Sequence, residues 1–250
     1  MGTRETGVLL FSLAFASCSS STSTSNPYSP STTKVILEVD YATGAAPYTG
    51  PVGGRGDLWS LFESNAQRLF QGKQLEIPHD LDHMEELTDV AAGDYTADQI
   101  LQIASKHRAT ASSGSSIAYY VVWLPGYFND GTEVNKAVLG VNLGSSGVIA
   151  MFKPVILSSS GTPLIQKYVE QSTLIHEFGH VVGLVNKGIP LTSAHHDAAN
   201  GAHCTNTDCV MYWLNEGAAD AVKFIEKRAT ESTTVLFADD CLADVDAVTK

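Results

Sequence analysis

Basic residues are scarce: 15 Lys and Arg stand against 27 Asp and Glu, a formal net charge of −12. Nucleic-acid binding draws much of its affinity from clustered Lys and Arg, and no dense basic stretch occurs in this chain. A nucleic-acid partner is not expected. Long apolar runs are missing too. None reaches the roughly 18 residues that a membrane-spanning helix needs. Cysteine is sparse, four in 250 residues, too few for a scaffold built on disulfides. What is present suffices for a core: 44% of the chain is apolar and 17% is charged, which fits one globular domain or two small ones and excludes disorder throughout. The acidic balance alone names no partner.

The first segment reads as an export signal. Val8 to Ala16 is a short apolar stretch behind Arg4, the length of a signal core and too short for a permanent anchor. Ala14-Phe15-Ala16 fits ordinary secretory cleavage. Leu13 to Cys18 (LAFASC) resembles a bacterial lipobox, in which Cys18 becomes the lipidated first residue. Ser19 to Thr33 is almost wholly Ser, Thr, Pro and Asn, so it reads as a flexible tether. The expected organisation is a signal at 1–17, a tether at 18–33 and one folded domain at 34–250. The mature chain is then an exported monomer, in the cell envelope or secreted, touching a membrane only through its lipid.

Past Lys34 there is neither linker nor repeat. Lys34 to Tyr41 reads as a strand, and Asp57 to Gln71 as a helix that Asp57 caps. A short strand is expected at Leu75 to Pro78 and a helix at Thr96 to His107. Three strands follow, at Ile117 to Leu124, Ala137 to Asn142 and Gly147 to Phe152. Helices are expected at Leu164 to Val185, Ala218 to Ala229 and Asp239 to Val248. This order predicts a mixed α/β (α+β) single domain with a twisted sheet, a long helix and a loop-rich C-terminal part.

Chemistry concentrates on the long helix. His176-Glu177-Phe178-Gly179-His180 is H-E-x-x-H. Residues four apart share a helix face, so both imidazoles can reach one zinc ion, with Glu177 beside them to take a proton from water that the metal acidifies. Two histidines and a glutamate on an otherwise apolar helix are costly unless something satisfies them. A catalytic zinc needs a third protein ligand. Gly183 sits where the compact metzincin motif H-E-x-x-H-x-x-G-x-x-H turns the chain, but Asn186 occupies its last position, and a neutral amide is a poor zinc ligand.

Downstream, His203-Cys204-Thr205-Asn206-Thr207-Asp208-Cys209-Val210-Met211 resembles the second half of the archaemetzincin motif, H-C-x4-C-x-M. Nineteen residues separate Gly183 from His203 where that family has two, so the chain resembles an archaemetzincin with a 17-residue insertion. The resemblance implies a metzincin-like fold, a zinc peptidase acting on protein or peptide, one catalytic zinc, His203 as third ligand and Met211 in a turn beneath the metal. His195, His196 and Asp197, inside the insertion, are alternative ligands. Asn215-Glu216 resembles the segment from which thermolysin-like enzymes supply a glutamate ligand, which would make Glu216 the third ligand. A zinc-binding surface lipoprotein without activity is the remaining alternative, against which Glu177 argues.

The family carries a further C-x-x-C that completes a structural zinc site. Here Cys241 stands alone. In an oxidising compartment the expectation is one disulfide, Cys204–Cys209, with Cys209–Cys241 as the other pairing. His79, Asp80, Asp82 and His83 read as a solvated loop, Tyr119, Tyr120 and Trp123 as strand core, and the strand that edges a substrate cleft falls between Val138 and Ala150.

Overall fold

The computed structural model describes residues 26–52, 55–57, 59–216, 218–228 and 234–249. The export signal and Cys18 lie outside the described residues. Along the chain, β1 (Lys34–Ala42), β2 (Pro51–Val52) and β3 (Arg55–Asp57) lead into α1 (Trp59–Leu69). β4 (Gln74–Glu76), β5 (Glu85–Leu87) and β6 (Asp94–Tyr95) precede α2 (Ala97–His107). Then come β7 (Ser116–Leu124), β8 (Tyr127–Asn129), β9 (Val134–Asn135), β10 (Gly140–Asn142) and β11 (Val148–Phe152). Helices α3 (Lys153–Ser158) and α4 (Pro163–Val181) follow directly. A loop-rich stretch then leads to α5 (Ala218–Arg228) and α6 (Asp239–Val248).

The main sheet runs β10-β11-β7-β1-β4, with β5 also paired to β1. Every pairing is parallel except β10 with β11. This is the mixed α/β architecture that the element order implied. β7 is central, and each side chain from Ile117 to Leu124 is buried, which explains an unbroken apolar run where a half-solvated strand would alternate. Local chemistry sets the helix starts. Asp57 Oδ1 accepts the Trp59 N–H at 2.9 Å, and Thr96 and Gln99 form a reciprocal capping box ahead of α2.

The folded domain begins earlier than composition suggested. Tyr28 is 2% exposed and stacks on Phe70 at 5.3 Å, and Lys73 Nζ donates to the carbonyls of Ser29 and Thr32. One aromatic ring and two carbonyl contacts hold residues 26–33 on the domain, so the tether reading does not extend to them.

α4 positions the site. It is buried continuously from Val169 to His180, with the Phe178 ring edge-on to Phe62, Phe70 and Tyr119 at 5.2–6.0 Å. Near its N-terminal half, the buried pair Lys153–Glu170 (2.6 Å) is completed by the Tyr48 N–H donating to Glu170. The helix stops at Val181, four residues before the expected end, because Gly183 takes φ +97° and Leu184 N–H donates to the Gly179 carbonyl.

Candidate metal centre

His176 and His180 project from one face of α4, and His203 arrives from the loop beyond it. His180 Nε2 lies 3.1 Å from His176 Nε2 and 3.2 Å from His203 Nε2. His176 Nδ1 lies 2.6 Å from the Val210 carbonyl and His203 Nδ1 2.6 Å from that of Asn200. A carbonyl only accepts, so in both rings the proton sits on Nδ1 and Nε2 presents a lone pair. A single N–H on His180 Nε2 could be aimed well at only one of these two lone pairs. A shared cation reconciles them, and a tetrahedral ion with bonds of about 2.0–2.1 Å spaces its ligands about 3.3 Å apart. Burial, followed by the charges of His176, Lys187 and His203, pushes the His180 pKa well below its usual value, which favours the neutral, ligating form. The backbone bonds at His176 and His203 are the outer support that metal-binding histidines commonly have.

The support beneath is tight. A Cβ at Gly179 would lie 2.4 Å from Met211 Sδ, so glycine within H-E-x-G-H lets the helix rest directly on that methionine. The turn ending at Met211 also carries the carbonyls that orient the site: Val210 for His176, and Met211 for the Cys204 N–H at 2.8 Å. Asp197 N–H holds the His203 carbonyl at 2.7 Å. Glu177 is 2% exposed, and its Oε2 accepts from Asn142 Nδ2 at 2.9 Å. Asn142 escaped the sequence reading, since nothing in the spacing marks an asparagine on a short edge strand.

A second cluster lies close by. His195 Nδ1 is 3.4 Å from Cys204 Sγ and 3.9 Å from Cys241 Sγ, and Cys209 Sγ is 3.5 Å from Cys241 Sγ. All three thiols are free and buried, so the structure does not contain the Cys204–Cys209 disulfide expected from the sequence. The reason is His195. Counting cysteines left a set of three with no fourth partner, whereas the insertion folds back and supplies an imidazole. His195 is held from behind by Asp244, whose Oδ2 lies 2.7 Å from Nε2 and whose Oδ1 accepts from both Thr192 N–H and Oγ1. Hydrogen bonds from Cys209 and Cys241 favour the Cys204 thiolate, while burial pushes the Cys209 thiol up to about 12. A cation bound among them would let all three ionise together.

The other candidates separate cleanly. Neither His196, whose Nε2 meets the Gly201 carbonyl at 2.7 Å, nor Asp197, which accepts from Asn200 Nδ2, belongs to either cluster. Glu216 closes a 3-10 turn at Trp213–Glu216, and its side chain lies outside the described residues. His79 and His83 are exposed and pair with Glu63 and Asp80. Tyr119, Tyr120 and Trp123 are core, and Tyr212 and Trp213 are half-buried against one another.

A mixed α/β domain with three converging imidazoles beside a buried carboxylate is thus a candidate metalloenzyme. No protein-family profile and no curated protein matches the chain. Among solved structures it is similar to a zinc-dependent peptidase from Methanocorpusculum labreanum, at 15% identity over 84% of this chain and 99% of that one, with a TM-score of 0.49. It is also similar to archaemetzincin from Archaeoglobus fulgidus complexed with malonate, at 14% identity, the same coverage and a TM-score of 0.41. Both superpose loosely.

Proposed function

We propose that this chain is a zinc-dependent peptidase of the archaemetzincin kind, with zinc on His176, His180 and His203 and Glu177 as general base. The observation that carries the proposal is the set of Nε2 atoms converging beside a buried carboxylate. Zinc suits three imidazoles, and when bound it supplies Lewis acidity toward a peptide carbonyl and a water molecule. Glu177 accepts the proton released as water adds to the carbonyl carbon, then returns it to the departing amine nitrogen. β10 is the outermost strand on its side of the main sheet and packs against α4, so an extended peptide can add to it as a further strand with its scissile bond near the base.

The thiol cluster extends the proposal to a second, structural ion on Cys204, Cys209, Cys241 and His195, which ties the insertion to α6 through Asp244. Metal analysis should find two zinc ions per chain, and the loaded protein should cleave unstructured peptides. Cys241→Ser should remove one ion and lower the melting temperature by about 10 °C. One ion per chain, untouched by Cys241→Ser, would return the cluster to plain thiols. A fully loaded protein that cleaves no peptide would leave a binding protein instead.

Export follows from the N-terminus, with Cys18 as the lipidated first residue of a cell-envelope protein. Mass analysis of the mature protein should give a diacylated or triacylated Cys18. An unmodified chain starting at Ser17 would mean ordinary secretion.

A further inference from the structure

Asn142 ends the edge strand β10, and its side chain joins two charged groups. Its Nδ2 donates to Glu177 Oε2 at 2.9 Å, and its Oδ1 accepts from Lys187 Nζ at 2.6 Å. The direction of both bonds follows from chemistry, since an ammonium only donates and a carboxylate only accepts. The residue between them must accept at one end and donate at the other, as a primary amide does. Aspartate would set two carboxylates face to face, and leucine would serve neither.

The backbone on both sides is shaped for this contact. At Gly140 a Cβ would meet Met151 Sδ at 3.0 Å, Thr173 Cγ2 at 3.1 Å and Glu177 Cγ at 3.2 Å, so glycine lets the strand press onto the helix at the base itself. On the other side, Val185 (φ 51°) and Asn186 (φ 63°) are both left-handed. A β-branched residue such as Val185 is an outlier there, of the kind kept where the surroundings over-determine it. This double turn carries the exposed Lys187 back to Asn142.

We infer that Asn142 and Lys187 are positioning residues for the base: Lys187 orients the Asn142 amide, and the amide holds the Glu177 carboxylate in one rotation. The role of Glu177 rests on the peptidase reading, whereas the holding of its carboxylate does not.

The test uses the zinc-loaded full chain and four variants: Asn142→Ala, Lys187→Met, the double variant and Lys187→Arg. Zinc content, kcat and KM on an unstructured peptide, and affinity for acetohydroxamic acid by calorimetry are measured on each. A hydroxamate gives its acidic proton to the base as it binds, so its affinity reports the placement of Glu177 without turnover. Asn142→Ala should lose about 10–100-fold in kcat and a similar factor in hydroxamate affinity, with zinc content and KM unchanged. Lys187→Met should lose about 10-fold, and Lys187→Arg should recover most of that. The double variant should lose little more than Asn142→Ala, because the hold of Lys187 on the Glu177 carboxylate runs through the amide. Losses that multiply, or a Lys187→Met effect confined to KM, would overturn the relay and make Lys187 a substrate contact. Asn142→Ala unchanged in both kcat and hydroxamate affinity would remove the positioning role altogether. If the wild type binds zinc and hydroxamate yet cleaves nothing, the peptidase reading fails, and the hydroxamate series still decides this one.

Discussion

Replacing Glu177 with glutamine should lower peptide hydrolysis by about a thousandfold while zinc content and melting temperature stay at wild-type values. The two side chains have nearly the same shape, and the Asn142 amide that donates to Glu177 Oε2 can donate equally to a glutamine oxygen. Burial is therefore tolerated and the three histidines are untouched. What disappears is proton acceptance, because a neutral amide has no basic site near pH 7. The check is kcat on a fluorogenic peptide beside zinc stoichiometry for the same preparation. Retained turnover would remove Glu177 from the chemistry, and lost zinc would make it a structural member of the site.

The second large effect is expected at His203. His203→Ala leaves His176 and His180 as a two-ligand site, and a catalytic zinc held by two side chains is far weaker than one held by three. After dialysis against a mild chelator, the count should fall from two zinc ions to one, and activity should vanish. His195→Ala should also fall from two to one, but by emptying the thiol cluster, and cobalt substitution separates the two cases because thiolate-to-cobalt absorption disappears only in that variant. His196→Ala and Glu216→Ala should keep both ions. If Glu216→Ala loses zinc while His203→Ala keeps it, the metal belongs to a thermolysin-like arrangement and the archaemetzincin reading is wrong.

The parts of this protein that were legible in its sequence are those written in local order. H-E-x-x-H sits on a helix, so spacing alone placed His176, Glu177 and His180, and β7 declared itself through an unbroken run of apolar and aromatic residues. The helix start at Thr96 was readable, whereas the return bond from Gln99 that makes it a reciprocal box came only from the structure. Sheet order was not, because the pairing of β1 with β4, β5 and β7 depends on contacts across long stretches of chain. Tyr28 was lost in a Ser- and Thr-rich composition, although one ring stacked on Phe70 is enough to anchor its segment. The thiol cluster was misread for a related reason. Cysteine arithmetic counts cysteines, and the fourth group is a histidine whose place depends on a carboxylate, Asp244, supplied by another helix.

His203 and Cys204 are neighbours in the chain, yet one belongs to each cluster. A single peptide bond therefore joins the proposed catalytic ion to the proposed structural one. The sulfur side of that bond is completed only by Cys241 on α6. A chain leaving a ribosome or an export channel N-terminus first presents both helix histidines long before the residue that anchors the third. Under the peptidase proposal, the catalytic set would stay incomplete until α6 is made, which would keep the nascent protein from cutting its own unfolded chain or its neighbours.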